Sequence, residues 1–440
     1  LPKIKPNPKE KKEELEISNR IISKIRSNVP KYIEVELAGS LAKNTNLRSD
    51  RDFDIFLLFP KEYSKKDLVT LGLDFAKKAI APHKYTIGYA EHPYLRAVIE
   101  NCKVDIVPAF KILYIEERAS SVDRSQLHTR YVQERLNEEG CDQVRLLKKF
   151  LKNLGIYGAE VKIEGFSGYL CELLIIHYGS FKKLLQEASK WDSIVIDIEK
   201  HYDEKILGQK FNSPLVVIDP VDRDRNVAAV ISETTLSKFI FACREFLKNP
   251  NEDFFFKPIV KINKKRIEKE IRGRESEIIC LVFKAPKVVP DILWPQLKRT
   301  ATNVVKQLEV YDFKLLGYDF WSDEKDICAI LLEFQVFKLP KTKKVYGPDI
   351  KFARDMDEFV KHHKATITRP WLEGKKIVAL EKRKYTDASE LLKAIASNPK
   401  KYGVASYLIG PFKKFKMLKG TKILQDKLFT LAAKYLTKQM

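Results

Sequence analysis

Eight consecutive residues constrain this chain more than any other part of it. In Asp52-Phe53-Asp54-Ile55-Phe56-Leu57-Leu58-Phe59, the two-residue period of a β-strand sends Phe53, Ile55, Leu57 and Phe59 to one face and Asp52 and Asp54 to the other. The fold must therefore supply an apolar layer for one face and reconcile two like charges on the other. Carboxylates held that close repel unless a cation lies between them, and Mg²⁺ takes carboxylate oxygens together with substrate phosphates. By itself an Asp-x-Asp pair reads more readily as two solvent-facing acids at a strand start. The surrounding sequence changes that reading.

Upstream, Asn7-Pro8-Lys9-Glu10 offers an N-cap, a proline in the first turn and a capping-box glutamate, opening a packing helix whose apolar residues include Leu15, Ile21, Ile22 and Ile25. Ile33 to Leu37 alternates as a strand and leads through Ala38-Gly39-Ser40 into a short helix-compatible stretch. Leu95 to Ile99 and Val104 to Val107 read as a hairpin about Glu100-Asn101. Residues 1–135 thus make a small mixed α/β domain. From Asp142 the pattern becomes helical, with Val144, Leu147, Leu151 and Leu154 at i, i+3, i+7 and i+10, and a second helix runs through Tyr169 to Leu174. That gives a helical central domain over 136–250. Asn249-Pro250-Asn251 and Phe254-Phe255-Phe256-Lys257-Pro258 punctuate the chain. Beyond them, strand-like Ile278 to Phe283 and Ile327 to Val336 interleave with helical Gln296 to Leu308, an α+β region over 251–440. The expected class is α+β multidomain, and 440 residues suit about three domains.

Composition narrows the partners. Lys+Arg 81 against Asp+Glu 59 gives +22, a field that attracts polyanions. Residues 361–440 hold 19 Lys and Arg against 5 Asp and Glu, or +14 of that excess. A basic end suits nucleic acid, although adaptation to heat produces a similar lysine content. No apolar run reaches the ~18 residues of a membrane span, and Lys3 to Lys12 is too charged for an export segment. Cys102, Cys141, Cys171, Cys243, Cys280 and Cys328 are scattered without a CxxC pair, which argues against a zinc knuckle or disulfide framework and fits a reducing cytoplasm.

Gly39-Ser40 ends the strand before the acids, where a glycine permits close backbone approach and a hydroxyl with amides can hold a triphosphate. Together, Gly39, Ser40, Thr45, Leu47, Asp52 and Asp54 ahead of an apolar run resemble the signature of the nucleotidyltransferase superfamily that includes polymerase beta. That family adds a third carboxylate from a later strand. Cys102-Lys103-Val104-Asp105-Ile106-Val107-Pro108 offers Asp105 on the face opposite Val104 and Ile106. Phosphoryl transfer at such a set uses one metal to activate an RNA 3′-hydroxyl and another to neutralise triphosphate and leaving pyrophosphate. Asp105 is placed to serve the former.

Further stretches sharpen the resemblance. Ala90-Glu91-His92-Pro93-Tyr94, Ser121-Val122-Asp123-Arg124, Arg145-Leu146-Leu147-Lys148, Gly155 to Glu160, Gly165 to Leu174 and Asp219-Pro220-Val221-Asp222 closely resemble the archaeal class I CCA-adding enzymes, tRNA nucleotidyltransferases that build or repair the 3′ CCA end. The likeness covers almost the whole chain. It implies a polymerase-beta-like head, a helical central domain and an α+β RNA-binding C-terminal region. It also implies template-independent transfer from CTP and ATP onto tRNA, with two Mg²⁺ ions on Asp52, Asp54 and Asp105. By motif, Gly39, Ser40 and the loop at Lys43 would meet the triphosphate, Ser125 and His128 would lie near ribose or phosphate, Lys148 and Tyr157 would grip the triphosphate, and Arg225 would help read the base edge. Ser125 stands where Thr is expected and Asp52 where some members have Glu, changes that keep the hydroxyl and the carboxylate. The implied partner is tRNA, held by its acceptor and T arms, and a homodimer is left open.

Alone, these residues say less. Lys148 falls ~40° from Val144 on a helical wheel, at the rim of the apolar stripe, where a lysine usually snorkels. His128 and Arg225 read as surface groups and Tyr157 as a core aromatic with a wet hydroxyl. The basic runs Phe412-Lys413-Lys414-Phe415-Lys416 and Lys382-Arg383-Lys384-Tyr385 fit RNA contact and amphipathic strands equally. Competing functions are a poly(A) polymerase, an oligoadenylate synthetase, a small-molecule nucleotidyltransferase, or an inactive RNA-binding relative. The basic end disfavours small substrates, and the three retained carboxylates disfavour inactivity.

Overall fold

A computed structural model of the protein describes residues 1–48, 50–89, 91–203, 210–211, 213–256, 263–364 and 367–437. Ala90, Lys257 and Pro258, named above, lie outside the described residues. The chain divides into two compact units, one ending and the other beginning within residues 257–262.

The first unit begins with α1 (Pro8–Arg26). Asn7 accepts from the Glu10 amide while the Glu10 side chain accepts from the Asn7 amide, the reciprocal cap expected from the sequence. Its buried face carries Ile17, Ile21, Ile22 and Ile25, whereas Leu15 is exposed. Leu15 lies 200° around the wheel from Ile17, so the stripe that Ile21 and Ile25 define excludes it. Then come β1 (Glu34–Ala38), the single turn α2 (Gly39–Ala42), β2 (Asp52–Phe59), α3 (Lys65–Ile80), β3 (Tyr85–Tyr89), β4 (Pro93–Ile99) and β5 (Cys102–Phe110). The five strands form one sheet in the order β1-β2-β5-β4-β3. Glu100 and Asn101 both have positive φ, as the tight turn between β4 and β5 requires.

Within this sheet, β2 runs parallel to β5 and the other pairings are antiparallel. Phe53, Ile55, Leu57 and Phe59 join Val104 and Ile106 beneath α1 and α3 in a single core. On the opposite face Phe56 and Leu58 are covered in a smaller cluster with Ala38 and Ala109. Only the start of that face, where Asp52 and Asp54 stand, is left for polar groups.

Downstream, α4 (Arg124–Arg135), α5 (Glu138–Leu154), α6 (Gly168–Tyr178), α7 (Phe181–Ala188) and α8 (Glu233–Lys248) enclose a second core that contains Val144, Leu147, Leu151, Leu170, Leu174 and Phe239. A three-stranded sheet of β6 (Ile194–Ile196), β7 (Leu215–Asp219) and β8 (Asp222–Asn226) completes it. The sequence had not revealed this sheet, because β8, Asp-Arg-Asp-Arg-Asn, carries no apolar alternation. Arg145 ties these helices to the sheet domain: its Nε donates to the Asn46 carbonyl at 2.9 Å and its Nη2 to that of Asn44 at 2.7 Å.

The second unit is α+β. Strands Leu315–Ser322, Ile327–Phe334, Glu277–Lys284 and Lys416–Lys419 form an antiparallel sheet in that spatial order. The helix Asp426–Thr437 packs Leu428, Leu431 and Leu436 over Ile278, Cys280 and Leu331. Strands Thr342–Asp349, Lys376–Lys382 and Trp371–Glu373 make a second, smaller sheet. The two basic runs are not strands with a solvated face. Phe412 closes a helical turn and is fully buried against Phe283, and the strand starts only at Lys416. In the other run the strand ends at Lys382, and Arg383 pairs with Asp312. All six cysteines are free and buried. Among the described residues no helix is long and apolar enough to cross a membrane.

Candidate active site

Parallel register sets Asp54 directly opposite Asp105, with Asp52 two residues earlier on the same face of β2. Burial, and then the charges of Asp105 and Asp52, raise the Asp54 carboxyl to about 6. Cations already attend its neighbours. Arg96, opposite Asp105 in the β4–β5 register, donates through Nε at 2.8 Å and Nη2 at 2.7 Å to the two Asp105 oxygens, and Lys103 lies 3.4 Å from Asp52. Among the described residues no three acidic, histidine or cysteine side chains are gathered closely enough to enclose an ion. The acids nevertheless fit a divalent cation: three carboxylates on one sheet face, one of them hard to ionise because it is buried beside two like charges, are an open set of hard oxygen donors.

Gly39 explains why the preceding strand ends as it does. Its φ is +69°, and a Cβ placed there would come within 1.9 Å of Asp54 Oδ2. The backbone must be bare for the carboxylate to occupy its position.

The cleft that holds the acids, of about 620 Å³, is also lined by Ser40, Lys43, Lys148, Tyr157 and Glu172. Lys148 is not at the rim of the helix but buried, 2% exposed, and so is Glu172 at 0%. Glu172 Oε2 accepts from Lys43 Nζ at 2.5 Å, and Oε1 accepts from Lys148 Nζ at 3.2 Å and from Thr45 Oγ1 at 2.6 Å. Lys148 also donates to Thr45 Oγ1 at 2.9 Å. Burial would push the Glu172 carboxyl up, yet the two ammonium groups outweigh it and hold it down. Gly39, Ser40, Lys43, Asp52, Asp54, Asp105, Lys148 and Tyr157 are therefore brought to one cavity.

Ser125, His128 and Arg225 are not among its lining residues. The last two meet at Asp219, which is wholly buried. Asp219 Oδ2 accepts from His128 Nε2 at 2.9 Å and Arg225 Nη1 at 2.7 Å, and its Oδ1 accepts from the Tyr169 hydroxyl at 3.1 Å. Burial alone would raise this carboxyl, but the bonds from His128 and Arg225 hold it down at about 2. An ionised Asp219 only accepts, so the proton sits on Nε2 of His128. Tyr169 joins the two centres: its ring stacks on His128 at 3.9 Å and lines the cleft under Lys43. Ser125 is half-buried in the first turn of α4, a start fixed by Asp123, whose side chain accepts from the amides of Phe110, Ala119 and Ser120.

Three family models match the chain. They are a nucleotidyltransferase domain over residues 18–132, the second domain of tRNA nucleotidyltransferase over 142–256, and the C-terminal domain of CCA-adding enzyme over 274–406. The CCA-adding enzyme of Methanocaldococcus jannaschii is 40% identical over 412 residues, spanning 90% of this chain and 89% of that protein. The chain belongs to the CCA-adding enzymes. Those of Methanothermobacter thermautotrophicus and Archaeoglobus fulgidus are 36% and 38% identical, covering 93% and 83% of this chain and 89% and 81% of theirs. The family expected from the sequence is thus the one found.

For a CCA-adding enzyme, the groups that sequence reasoning had left without a role are Arg96, Glu172 and Asp219. Glu172 had a visible signal, an acid within Leu170-Cys171-Glu172-Leu173-Leu174, where a charge is costly unless paired. Asp219 ends an apolar strand in the same way. Arg96 had none, because an exposed arginine on an alternating strand is ordinary.

Two expectations follow. Gly39→Ala should lower nucleotide incorporation about 100-fold by displacing the Asp54 carboxylate, while costing the fold only about 1–2 kcal/mol of backbone strain; wild-type turnover would mean that Asp54 need not sit there. The second concerns pH. Since the folded pKa of Asp54 lies above its ordinary 3.8, at about 6, the contribution of this carboxyl to stability is fully present below 3.8 and is lost as pH rises through 6. In metal-free buffer Asp54→Asn should therefore be more stable than wild type at pH 7.5, by up to about 3 kcal/mol, and no more stable at pH 4. Coincident thermal melts at pH 7.5 would contradict the assignment.

Proposed function

We propose that this enzyme adds CCA to the 3′ end of tRNA from CTP and ATP, without a nucleic-acid template, releasing pyrophosphate. One observation carries the reading at the chemical level: a single cleft is lined by three carboxylates and by two lysines, Lys148 buried and Lys43 half-buried. That is the charge pattern needed to place a metal-bound triphosphate beside an RNA end.

Asp52, Asp54 and Asp105 would hold two Mg²⁺ ions, which when bound lower the pKa of the RNA 3′-hydroxyl and neutralise the triphosphate. Lys43 and Lys148 bind the phosphates, Ser40 offers a hydroxyl at the turn of α2, and Tyr157 closes the cleft beside Gly168. Ser125 and His128 flank the ribose. Arg225, fixed through Nη1 by Asp219, keeps its other N–H groups for the base edge, where a planar guanidinium discriminates acceptors. Residues 1–135 supply the catalytic acids and 136–250 the nucleotide-binding helices. Residues 251–440 grip the acceptor and T arms of tRNA by shape and backbone charge, since A-form RNA hides its base edges in a deep groove. A reducing cytoplasm suits six buried free thiols.

The decisive experiment incubates tRNA lacking its last three nucleotides with CTP, ATP and Mg²⁺. It should gain CCA and stop; unlimited A addition, or no extension, would reject the reading. In the same assay Arg225→Ala should lose C-versus-A discrimination or both incorporations, and unchanged kinetics for both nucleotides would remove Arg225 from the site.

A further inference from the structure

Glu172 is an expensive residue to keep. It stands on α6 with no exposed surface, where an unpaired carboxylate would be strongly destabilising. Its partners come from two different parts of the chain, Lys43 after α2 and Lys148 on α5, and both ammonium groups border the cleft. One carboxylate is thus shared by two lysines, side by side in a space from which water is largely excluded. Neutralisation is incomplete by one positive charge.

Resting on the triphosphate reading above, we infer that Glu172 is the positioning residue for the triphosphate: it aims Lys43 and Lys148 into the cleft and leaves them one surplus charge for the phosphates to neutralise. Without its carboxylate the two ammonium groups face each other unshielded, and one of them releases its proton to solvent. The cleft then offers an anion one charge fewer and two lysines no longer fixed by a common acceptor. Burial and Lys43 already push the Lys148 ammonium down, and Glu172 is the largest influence opposing them. The effect must be the same for CTP and ATP, because Glu172 acts on the part they share.

Among the described residues the other titratable groups facing the trio are Asp54, Glu160, His128, Tyr157, Tyr169, Cys141 and Cys171; burial lowers the His128 imidazole, which favours its neutral form. Burial raises the two phenols and the two thiols, which favours their neutral forms. Asp54 and Glu160 are present in wild type and variant alike, so affinities are read as a variant-to-wild-type ratio at each pH.

The test uses the full chain and titrates CTP and ATP separately, with Mg²⁺ present, into wild type, Glu172→Gln and Glu172→Asp. At pH 8.5 the Gln variant should bind both nucleotides at least about tenfold more weakly than wild type, with KM raised more than kcat is lowered. At pH 6.5, where both lysines regain their protons, the variant-to-wild-type ratio should shrink towards one. Glu172→Asp, which keeps the charge on a shorter stem, should recover part of the loss at pH 8.5. A ratio that is unity at pH 8.5, or large and unchanged between the two pH values, would overturn the inference, the second outcome marking a purely structural role. Should Glu172→Gln fail to fold, the double variant Glu172→Gln with Lys148→Met, which removes one charge of each sign, replaces it: affinity with no pH dependence beyond that of wild type supports the inference, and the single variant's expected pH dependence persisting there overturns it. Failure of wild type itself to bind CTP and ATP would instead count against the triphosphate reading.

Discussion

Parallel pairing of β2 with β5 places Asp54 opposite Asp105, and much of the first unit can be understood as the accommodation of that contact. The register cannot relax by slipping. A shift of one residue would turn Phe53, Ile55 and Leu57 out of the core beneath α1 and α3 and drive the acids into it. The carboxylates must therefore stay together, and the surroundings supply what they lack. Arg96 pairs with Asp105 from β4, Lys103 approaches Asp52 from β5, and Gly39 leaves Asp54 the space it needs. Asp54 has no such direct partner among these, and its burial, together with the charges of Asp105 and Asp52, pushes its carboxyl up.

A second charge centre depends on how the helices after residue 136 dock on the sheet. Lys43 and Thr45 belong to the segment between α2 and β2, while Lys148 and Glu172 belong to α5 and α6. Arg145 fastens the two through the carbonyls of Asn44 and Asn46, so the lysines and the acids are positioned by the same piece of backbone. The loop from 43 to 46 is thus the mechanical link across the cleft. Such an arrangement joins the helices to the sheet by hydrogen bonds and ion pairs, at the cost of burying an arginine, a lysine and a glutamate together.

How much of this could be read from sequence depends on whether the signal is local. The strand Asp52–Phe59 was legible to the residue because Asp52 and Asp54 alternate with Phe53 and Ile55 ahead of a run that is buried throughout, and the cap at Asn7 because it is made within four residues. The turn at Glu100-Asn101 was equally local. What could not be read are contacts set by long-range packing. The depth of Lys148 depends on Glu172, 24 residues away, and on Thr45, 103 away; a helical wheel sees neither. Strand β8 was invisible because its side chains make ion pairs rather than a core: Asp222 pairs with Arg118 and Arg124, and Arg225 with Asp219 of β7. In the second unit, Phe412 looked like one aromatic in a basic run, yet it is a core residue, since only tertiary structure distinguishes an aromatic that stacks on RNA from one that packs on Phe283.

CTP and ATP are alike in triphosphate and ribose and differ at the base edge, and the two charge centres divide along that line. On the proposed reading the lysines bound to Glu172 engage what the nucleotides share, whereas Arg225 meets what distinguishes them. Selection without a template demands that the donors at the base edge be fixed before the nucleotide arrives, because a guanidinium free to turn would satisfy either base. Asp219 provides that constraint through a carboxylate held at about 2 and therefore ionised at any working pH. Tyr169 gives it reach: one phenol hydroxyl bonds Asp219 while the ring stacks on His128 and borders the phosphate side of the cleft. A nucleotide seated by its phosphates would then meet a base-reading group whose orientation is set from the same wall. On that reading the choice between C and A is left to a difference in hydrogen bonding at the base, with triphosphate affinity common to both.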